Sequence, residues 1–558
     1  MIIYKHIRKW QRVYVILLFF ILAIITTVPA FLGDYFKVTY DGGVHLTRWE
    51  AVYQALKHGK LPVLVNFIGF QGISNAYTGL YPWVTSLLFI LPRFIFTANP
   101  IAALFCGFVL LNFLTQIAAY FMMREFTASK LINLVGVCFY QFSAYHMGIM
   151  FARNAMGEAI AYAILPVVLT GCLRIWRRER WGGLVLGAGM GALINTHILS
   201  VLIVCTLLTI AEVVRVFTRK INLGELHLFC MAVGIAVLTS LYTIVNILTL
   251  YMNNRNINTP GHGLSPVGGW QVLQALFANS IEDTPIIFNI GLVETGMLIF
   301  LGIMMLVKHS GNWRFWTMIA LGIFFCTLSW LPLQKSIFVN SFFGNIQFLG
   351  RMLAFVSLFL AVSVTVFFEE NKVLDNNKIV LSVLLIPLVL MSISAVYSYH
   401  ITKNDDPTRY YISTSKEYKK LVNKQATGGD YIINYSQVKG KVSTVANLKK
   451  IEKYNSLSFD FNNTSQNKKE RNFLLVIYKG LSYHISVNHK KVNASAPIFR
   501  TILKPGINHI KISMAAGIRE YLTFSIMLLS NIIVFYILLF RGKGIRICGK
   551  KEFFKKQH

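Results

Sequence analysis

The sequence predicts an all-α polytopic membrane protein with a small β domain near its carboxyl terminus. Hydrophobic residues make up 55% of the 558 residues and charged residues only 14%, whereas a soluble chain usually has about a quarter of its residues charged. Apolar runs of about 18–25 residues recur, each long enough to cross a hydrocarbon layer of ~30 Å. One stretch, 398–519, is instead polar and has short alternating segments typical of strands. Together these observations predict a helical membrane protein with one added β unit.

The basic residues orient the predicted spans, because loops on the cytoplasmic side are enriched in Lys and Arg. RIWRRER at 174–180, RVFTRK at 215–220 and the basic tail are therefore expected inside, as is the amino terminus. The first run is longer than a signal-peptide core, so we expect a retained helix. This gives twelve crossings of the plasma membrane with both termini in the cytoplasm, near 13–32, 100–122, 131–148, 159–174, 183–195, 198–216, 227–250, 291–308, 314–330, 349–367, 378–397 and 520–540.

The apolar run YPWVTSLLFILPRFIF at 81–96 does not fit this series. It is short and contains Pro82 and Pro92. Counting it as a span would place RIWRRER outside. We therefore predict an interfacial or re-entrant helix that lies along the outer surface. A true short crossing, with a different number of spans, is the alternative.

The polar stretch predicts an extracytoplasmic domain over residues 401–518, after a transmembrane core at 1–400 and before the last span and basic tail at 519–558. LSYHISVNH at 481–489 and NHIKISM at 508–514 are predicted strands. The stretch 398–519 holds 21 Lys and Arg against 7 Asp and Glu. Such a surface suits anionic lipids or anionic wall polymers, although a plain solvated surface explains the charge equally well. Nucleic acid is not an expected partner.

The acids and bases that could cooperate lie at the outer ends of the predicted spans. The first loop, 33–99, contains YDGGVHLTRWE at 40–50, and later outer segments contain MGIMFARNAMGE, NTHILS and NIQFLGRML. Within the membrane, Glu294 is the main acid. Ion-coupled transporters place such groups near the bilayer midplane on broken, repeated helices. The distribution here favours an enzyme that acts on a lipid-linked substrate at the outer surface.

Several of these segments resemble a known family. An acidic motif in a long first external loop, an interfacial helix entered through Tyr-Pro and a second external acid resemble the GT-C membrane glycosyltransferases. DGGVHLTRWEAVYQALKHGKLP, NAYTGLYPWVTSLLF and NIQFLGRMLAF are similar to bacterial membrane proteins described as related to 6-pyruvoyl-tetrahydropterin synthase, a label that implies no pterin chemistry. YHISVNHKKVNASAPIFRTILKPGINHIKISM and the following span resemble the end of YfhO-type proteins. The family's aromatic-Pro-Pro and Gln-Phe-Pro-Trp-Arg patterns are present only as LYPW and QFLGR.

The resemblance implies an inverting transfer of a sugar from a polyprenyl phosphate to a glycan, wall polymer or lipid on the outer face. Such a reaction needs a base for the acceptor hydroxyl and a cationic clamp for the departing phosphate. Asp41 matches the family's first-loop acid, with Asp34 as its rival, and Glu158 matches a second acid that orients the acceptor or a metal. No cofactor is certain, and a divalent metal ion is one candidate. The predicted substrate-binding residues are Asp34, His45, Arg48, Arg153, His197, Gln347 and Arg351.

Several of these residues also have a structural explanation. Asp41 could cap a helix that starts beside it, and Glu158 could be favoured by a helix dipole. Arg351 could anchor the chain at lipid headgroups. If a helix starts after Asp41, then His45 and Arg48 share a face with it. The alternative functions are a transporter or flippase of a lipid-linked saccharide and a non-catalytic accessory membrane protein.

Overall fold

The computed structural model describes residues 2–258, 261, 263–373, 379–402, 409–426, 429–436, 442–493 and 496–541. Side chains are described from Val13 onward, except those of Tyr40 and Arg541. These parts of the chain are mostly helical, with a β region in the carboxyl-terminal part. Both features agree with the fold class predicted from the sequence.

Long apolar helices make up most of the described chain. Seven of them are long and apolar enough to cross a membrane: Val13–Phe31, Pro100–Met123, Met156–Trp176, Ile198–Phe217, Leu349–Glu370, Ile379–Ile401 and Ile518–Phe540. Two further pairs reach that length only together, Lys130–Gln141 with Ala144–Ala152, bent by 47°, and Leu223–Thr239 with Leu241–Asn253, bent by 75°. If each bent pair is one span, the described residues contain nine such spans. The chain is therefore a multi-pass membrane protein.

Three other predicted spans coincide with shorter apolar helices. These helices are Gly182–Ile194, Leu292–Val307 and Trp313–Thr327, of 13, 16 and 15 residues. The run at 81–96 forms the turn Val84–Ser86 and the short helices Leu87–Ile90 and Pro92–Ile95. Its Phe89 ring packs on Phe108, with ring centroids 5.2 Å apart. The run thus lies against the helix that follows it in the chain.

The motif YDGGVHLTRWE begins the helix Tyr40–Lys57, here called the motif helix. In the sequence, Leu46, Trp49, Tyr53 and Leu56 form an apolar stripe on this helix. The stripe suggests a face that could lie on the membrane, and this was wrong. Trp49 stacks on Phe89 with centroids 4.8 Å apart, and Tyr53 meets Phe94 edge-on at 5.1 Å. The stripe is buried because the 84–95 run covers it.

The β region consists of two sheets that share one apolar core. The first sheet has the strand order Lys490–Val492, Tyr483–Val487, Gly506–Met514, Ser456–Asn463 and Lys450–Lys453. The second has the order Ile498–Leu503, Lys469–Val476 and Val442–Ser443. The strands predicted at 481–489 and 508–514 are confirmed. Phe459 of the first sheet packs on Phe473 of the second at 5.5 Å, so alternating apolar side chains fill the space between the sheets.

The first loop joins the helices to the carboxyl-terminal part of the chain. Its strand Phe36–Val38 pairs antiparallel with Tyr410–Ile412. The helix Ser415–Lys424 follows and packs on the motif helix through Tyr418, which is buried and donates a hydrogen bond to Glu50 at 3.1 Å. The motif helix is consequently held between the membrane helices and residues that lie more than 350 positions later in the sequence.

Candidate functional site

Five polar residues from four segments form what we call the charge cluster: Asp41, Tyr145, Arg153, Glu158 and Arg351. Arg153 lies between the two acids, with its Nε 3.3 Å from Asp41 Oδ2 and its Nη1 3.3 Å from Glu158 Oε2. The same Oε2 atom lies 3.3 Å from Arg351 Nε. Tyr145 donates its hydroxyl to the other oxygen, Oε1 of Glu158. Both predicted catalytic acids therefore belong to one connected network.

Asp41 is placed by the start of the motif helix. Thr39 occupies the N-cap position of this helix. Its backbone N–H donates to Asn154 Oδ1 at 2.8 Å, and its hydroxyl donates to the carbonyl of Arg153 at 2.5 Å. Asn154 itself has a left-handed backbone, with φ of +53°. Since Thr39 and not Asp41 occupies the N-cap position, the capping explanation of Asp41 is not supported.

A glycine beside Asp41 allows this close approach. A Cβ atom added to Gly42 would lie 2.6 Å from Asn154 Oδ1 and 2.8 Å from Val38 Cγ1. Any larger residue would push the motif helix away from Asn154. Gly42 thus serves close packing against the Arg153–Asn154 turn.

Glu158 lies in the first turn of the helix Met156–Trp176, where the helix dipole also favours a carboxylate. Arg351 lies in the turn that opens the Leu349–Glu370 span, and its Nη1 donates to the Ile346 carbonyl and to Gln347 Oε1, both at 2.8 Å. Its guanidinium also lies 4.1 Å from the centre of the Phe348 ring. These contacts hold the guanidinium inside the protein, so a role limited to lipid headgroups does not account for its position.

The charge cluster is buried at one side and open at the other. The side chains of Glu158 and Arg351 are 7% and 6% exposed, whereas that of Asp41 is 41% exposed. Burial alone would lower the pKa of Arg153, but the carboxylates of Asp41 and Glu158 outweigh it and raise that pKa. Two carboxylates balance two guanidinium groups, which meets the requirement that buried charges be paired. Asp41 is the acid that a substrate can reach.

Beside the charge cluster, His45, Arg48, Tyr81 and His197 form a second polar layer. Arg48 Nε donates to His45 Nδ1 at 3.2 Å, and Arg48 Nη1 donates to the carbonyls of Tyr81 and Pro82 at 2.9 and 3.1 Å. Burial, followed by the charge of Arg48, holds the pKa of His45 well below its ordinary value, so this imidazole is neutral. Burial lowers the pKa of Arg48 to about 10 and raises that of Tyr81 to about 12. At neutral pH this layer carries the single positive charge of Arg48 and three uncharged rings.

His197 ends the break between the helices Gly182–Ile194 and Ile198–Phe217. Its ring lies 6.2 Å from that of Tyr81, and its Nδ1 is 2.8 Å from Ser200 Oγ. Burial, and then the charge of Arg351, lower the pKa of His197 to about 3. The imidazole is a neutral hydrogen-bonding group next to the charge cluster.

Asp34 is the one predicted site residue that lies apart from the others. It occupies an exposed turn with φ of +60° and forms no ion pair with any described residue of the charge cluster. Asp34 is exposed to solvent, whereas Asp41 is paired with Arg153. The two acids, which the sequence left as alternatives for the same role, therefore differ in their surroundings.

The structure adds residues that the sequence analysis missed. Tyr145 lies inside an apolar run, and Asn154 lies in a segment singled out only for its charges. Asp430 and Tyr431 come from the carboxyl-terminal part of the chain. Asp430 lies close enough to Asp41 for that carboxylate to raise its pKa, and the ring of Tyr431 lies 6.4 Å from that of Tyr81. Neither pair carries a local sequence signal, because their positions depend on contacts between distant segments.

The described residues contain no group of three or more His, Cys, Asp and Glu side chains that could hold a metal ion. Both oxygens of Glu158 are already engaged, by two guanidinium groups and a phenol. Adjacent cations repel a divalent ion, so Glu158 does not fit the role of a metal ligand in this arrangement.

The chain was compared with known proteins. No protein-family model matches it, and no curated protein is similar to it.

Proposed function

We propose that the protein is a membrane glycosyltransferase of the GT-C type. It transfers a sugar from a polyprenyl phosphate to a hydroxyl of a cell-envelope glycan, wall polymer or lipid, with inversion at the sugar carbon. The observation that carries this proposal is the charge cluster, in which the accessible carboxylate of Asp41 adjoins Arg153, and Glu158 links Arg153 to the buried guanidinium of Arg351. A base and an anion clamp are the two groups that such a transfer requires.

In the proposed reaction, Asp41 accepts the proton of the acceptor hydroxyl. The acceptor oxygen then forms a bond to the anomeric carbon while the bond between that carbon and the phosphate oxygen breaks. The electron pair of the broken bond leaves with the lipid phosphate, and the proton remains on Asp41 until it passes to water. Atoms and charge balance without an added reductant, oxidant or nucleotide.

Arg153 and Arg351 are suited to hold the departing phosphate. Each uses its Nε and Nη1 atoms within the protein, and within the described residues neither Nη2 atom has a hydrogen-bond partner. A guanidinium presents its nitrogens in a planar fork that matches phosphate oxygens. Phosphate binding would then add to existing contacts rather than replace them.

The proposed reaction takes place on the outer face, in a topology of twelve crossings with both termini inside. Ion pairs support this arrangement, because they join segments that the topology places on the same side. Glu125 pairs with Arg174 and Arg177, and Glu225 pairs with Arg215, all in predicted inner loops. The ion pairs of the charge cluster join only predicted outer segments. The β region would be extracytoplasmic, with its excess of basic residues available to anionic lipids or wall polymers.

A transporter of lipid-linked saccharides is the competing function, because transporters often bind their substrates at broken helices and the described part of this chain has two bent helix pairs. The sharpest break, at Ser240, is closed by protein side chains. Asn195 and Asn531 each donate an amide hydrogen to the carbonyl of Thr239 at 2.9 Å. The freed carbonyl is therefore satisfied internally instead of being offered to an ion. This favours the enzyme over the transporter.

Replacing the proposed base tests the proposal. Asp41→Asn keeps the size of the side chain but removes its basicity, so turnover should fall by about 10²–10⁴ while the protein stays folded. Asp34→Asn is the matched control, an acid of the same loop that lies outside the charge cluster, and should transfer sugar normally. The measurement is sugar transfer from a polyprenyl-phosphate donor, with detergent melting as the test of folding. Normal transfer by both Asp41→Asn and Asp41→Ala would refute the assignment, and an inactive Asp34→Asn beside an active Asp41→Asn would move the base to Asp34.

A further inference from the structure

The carboxyl-terminal part of the chain supplies two residues beside the charge cluster. Tyr431 has a left-handed backbone, with φ of +61°. Its N–H donates to the carbonyl of Asn258 at 2.8 Å, and its carbonyl accepts from Tyr478 Oη at 2.6 Å. A bulky residue adopts this conformation only where its surroundings impose it, and such residues concentrate at functional sites. Contacts from two distant segments thus fix the position of Tyr431.

The ring of Tyr431 completes an aromatic surface. It lies 5.3 Å from the ring of Tyr77 and 6.4 Å from that of Tyr81, edge to face in both cases. Tyr81 in turn adjoins His45 at 5.3 Å and lies near enough to Asp41 for that carboxylate to act on its hydroxyl. The three tyrosines extend from the charge cluster towards the β region.

Asp430, next to Tyr431, brings a third carboxylate to this surface. It is partly buried, and burial followed by the charge of Asp41 raises its pKa. Within the described parts of the chain, its carboxylate has no ion pair and no hydrogen-bond donor. Two neighbouring carboxylates that only accept hydrogen bonds need donors between them. A ligand with several hydroxyl groups supplies such donors without adding charge.

We propose that Asp430 and Tyr431 form the acceptor subsite, and that the acceptor presents a sugar or another polyhydroxyl group to it. Hydroxyls of the acceptor donate to Asp430 and Asp41, while its apolar face packs on the rings of Tyr431 and Tyr81. The lipid phosphate binds instead at Arg153 and Arg351, so the two substrates approach Asp41 from different sides. This inference rests on the proposed function, because it assigns the second substrate of that reaction.

The test is binding of simple sugars to the purified full-length protein in detergent, measured by saturation-transfer NMR. The probes are the methyl β-glycosides of glucose and of N-acetylglucosamine. Affinity for at least one should fall about tenfold in Asp430→Asn and in Tyr431→Ala, the loss expected for one hydrogen bond to a charged group or one stacking contact. Tyr431→Phe keeps the ring and should bind nearly as wild type.

Two matched controls lie in the β region away from the site. Asp460 is exposed and pairs with His509, and Tyr454 stacks on His58 at 5.0 Å. Asp460→Asn and Tyr454→Ala should leave sugar binding unchanged. Equal losses in the controls and in the site variants would show a general effect of the β region and overturn the proposal.

Other outcomes separate this inference from the proposed function. Absence of binding of both glycosides to the wild type overturns the subsite. Stabilisation of the wild type by Mn²⁺ or Ca²⁺ that is lost in Asp430→Asn also overturns it, since the two carboxylates would then hold a cation. If sugar transfer occurs and is unaffected in both Asp430→Asn and Tyr431→Ala, the function stands and the subsite falls. If the glycosides bind through Asp430 and Tyr431 but no transfer is found, the subsite stands and the transferase function falls.

Discussion

Arg351→Lys tests whether the planar guanidinium, and not just a positive charge, is needed in the charge cluster. Arg351 contacts Glu158 through Nε, at 3.3 Å, and the Ile346 carbonyl and Gln347 Oε1 through Nη1, both at 2.8 Å. These partners lie on two edges of the guanidinium. An ammonium group carries the same charge on a single nitrogen and cannot reach both edges at once.

The size of the effect follows from those contacts. Lysine can keep the ion pair with Glu158 only by giving up the bonds on the Nη1 edge. Loss of one hydrogen bond to a charged group costs about 1.5–3 kcal/mol. The free energy of unfolding should therefore fall by about that amount. If the Nη2 edge also holds the lipid phosphate, the rate of sugar transfer should fall by roughly ten- to a hundredfold in addition, because each 1.4 kcal/mol corresponds to a factor of ten.

The assay compares detergent melting and sugar transfer in Arg351→Lys and in a matched control, Arg174→Lys. Arg174 lies at the opposite end of the helix Met156–Trp176, and contacts Glu125 Oε1 through Nε at 2.9 Å and Nη2 at 2.6 Å. Both variants replace a largely buried guanidinium that makes at least two hydrogen bonds with an ammonium. Both should therefore melt at a lower temperature. Only Arg351→Lys should be impaired in transfer at a temperature where both proteins are folded.

Two results would contradict this reasoning. Arg351→Lys that melts and transfers like the wild type would mean that the fork geometry has no role. Equal loss of transfer in both variants would mean that the loss comes from destabilisation of the fold and not from the site.

Three further predictions concern pH, packing and topology. His197 has a pKa of about 3 in the folded protein against an ordinary value near 6.5, so the unfolded chain binds this proton more readily. The stability contributed by the neutral imidazole is therefore complete above about pH 6.5 and is lost as the pH falls towards 3, with a loss of about 2 kcal/mol at pH 5. His197→Asn should flatten the dependence of melting on pH, and an unchanged slope would assign the acid sensitivity to another group. Gly171→Ala places a Cβ 2.5 Å from backbone atoms of Leu186 and should lower the free energy of unfolding by about 1–3 kcal/mol. In the control Gly296→Ala, the added Cβ meets no atom within 4 Å, and melting should be unchanged. Equal melting of the two variants would show that the helices can separate freely. The last prediction tests whether the run at 81–96 crosses the membrane. If it does not, single cysteines placed at the exposed positions 60 and 97 of a cysteine-free protein should both react with an impermeant thiol reagent added outside. Labelling of only one of them before permeabilisation would refute the twelve-span topology.

Local patterns in the amino-acid sequence predict the class of the protein and the positions of most of its elements. Apolar runs are a local property, because a helix that crosses lipid satisfies its own backbone hydrogen bonds and needs no distant partner. Predicted runs such as 100–122 and 198–216 accordingly coincide with the helices Pro100–Met123 and Ile198–Phe217. Alternation in 508–514 indicated a strand for the same reason, since the side-chain period of a strand is visible in a few residues.

The candidate site was predictable only in part. Ionisable residues are scarce in the predicted membrane interior. Asp41 could be selected from its motif in the first outer loop, and Glu158 and Arg351 because each lies at the outer end of a predicted span. The ion pairs of Asp41 and Glu158 with Arg153, and that of Glu158 with Arg351, required the folded chain. The separation of Asp34 from this network also required it. The apolar stripe of the motif helix shows the same limit, because amphipathicity indicates that a face is buried without indicating what covers it.

The contacts that distant segments make near Asp41 are visible only in the folded chain. Asn154 contacts Thr39, at the start of the motif helix, although the two residues are 115 positions apart in the sequence. Asp430 and Tyr431 belong to the carboxyl-terminal part of the chain. Such contacts depend on how helices and sheets pack, and packing is a property of whole surfaces rather than of any short segment. A sequence pattern can therefore single out Asp41 and Asp34. Only the fold shows that Asp41 is paired with Arg153, that Asp34 is exposed, and that Asp430 lies near enough to Asp41 to be affected by its charge.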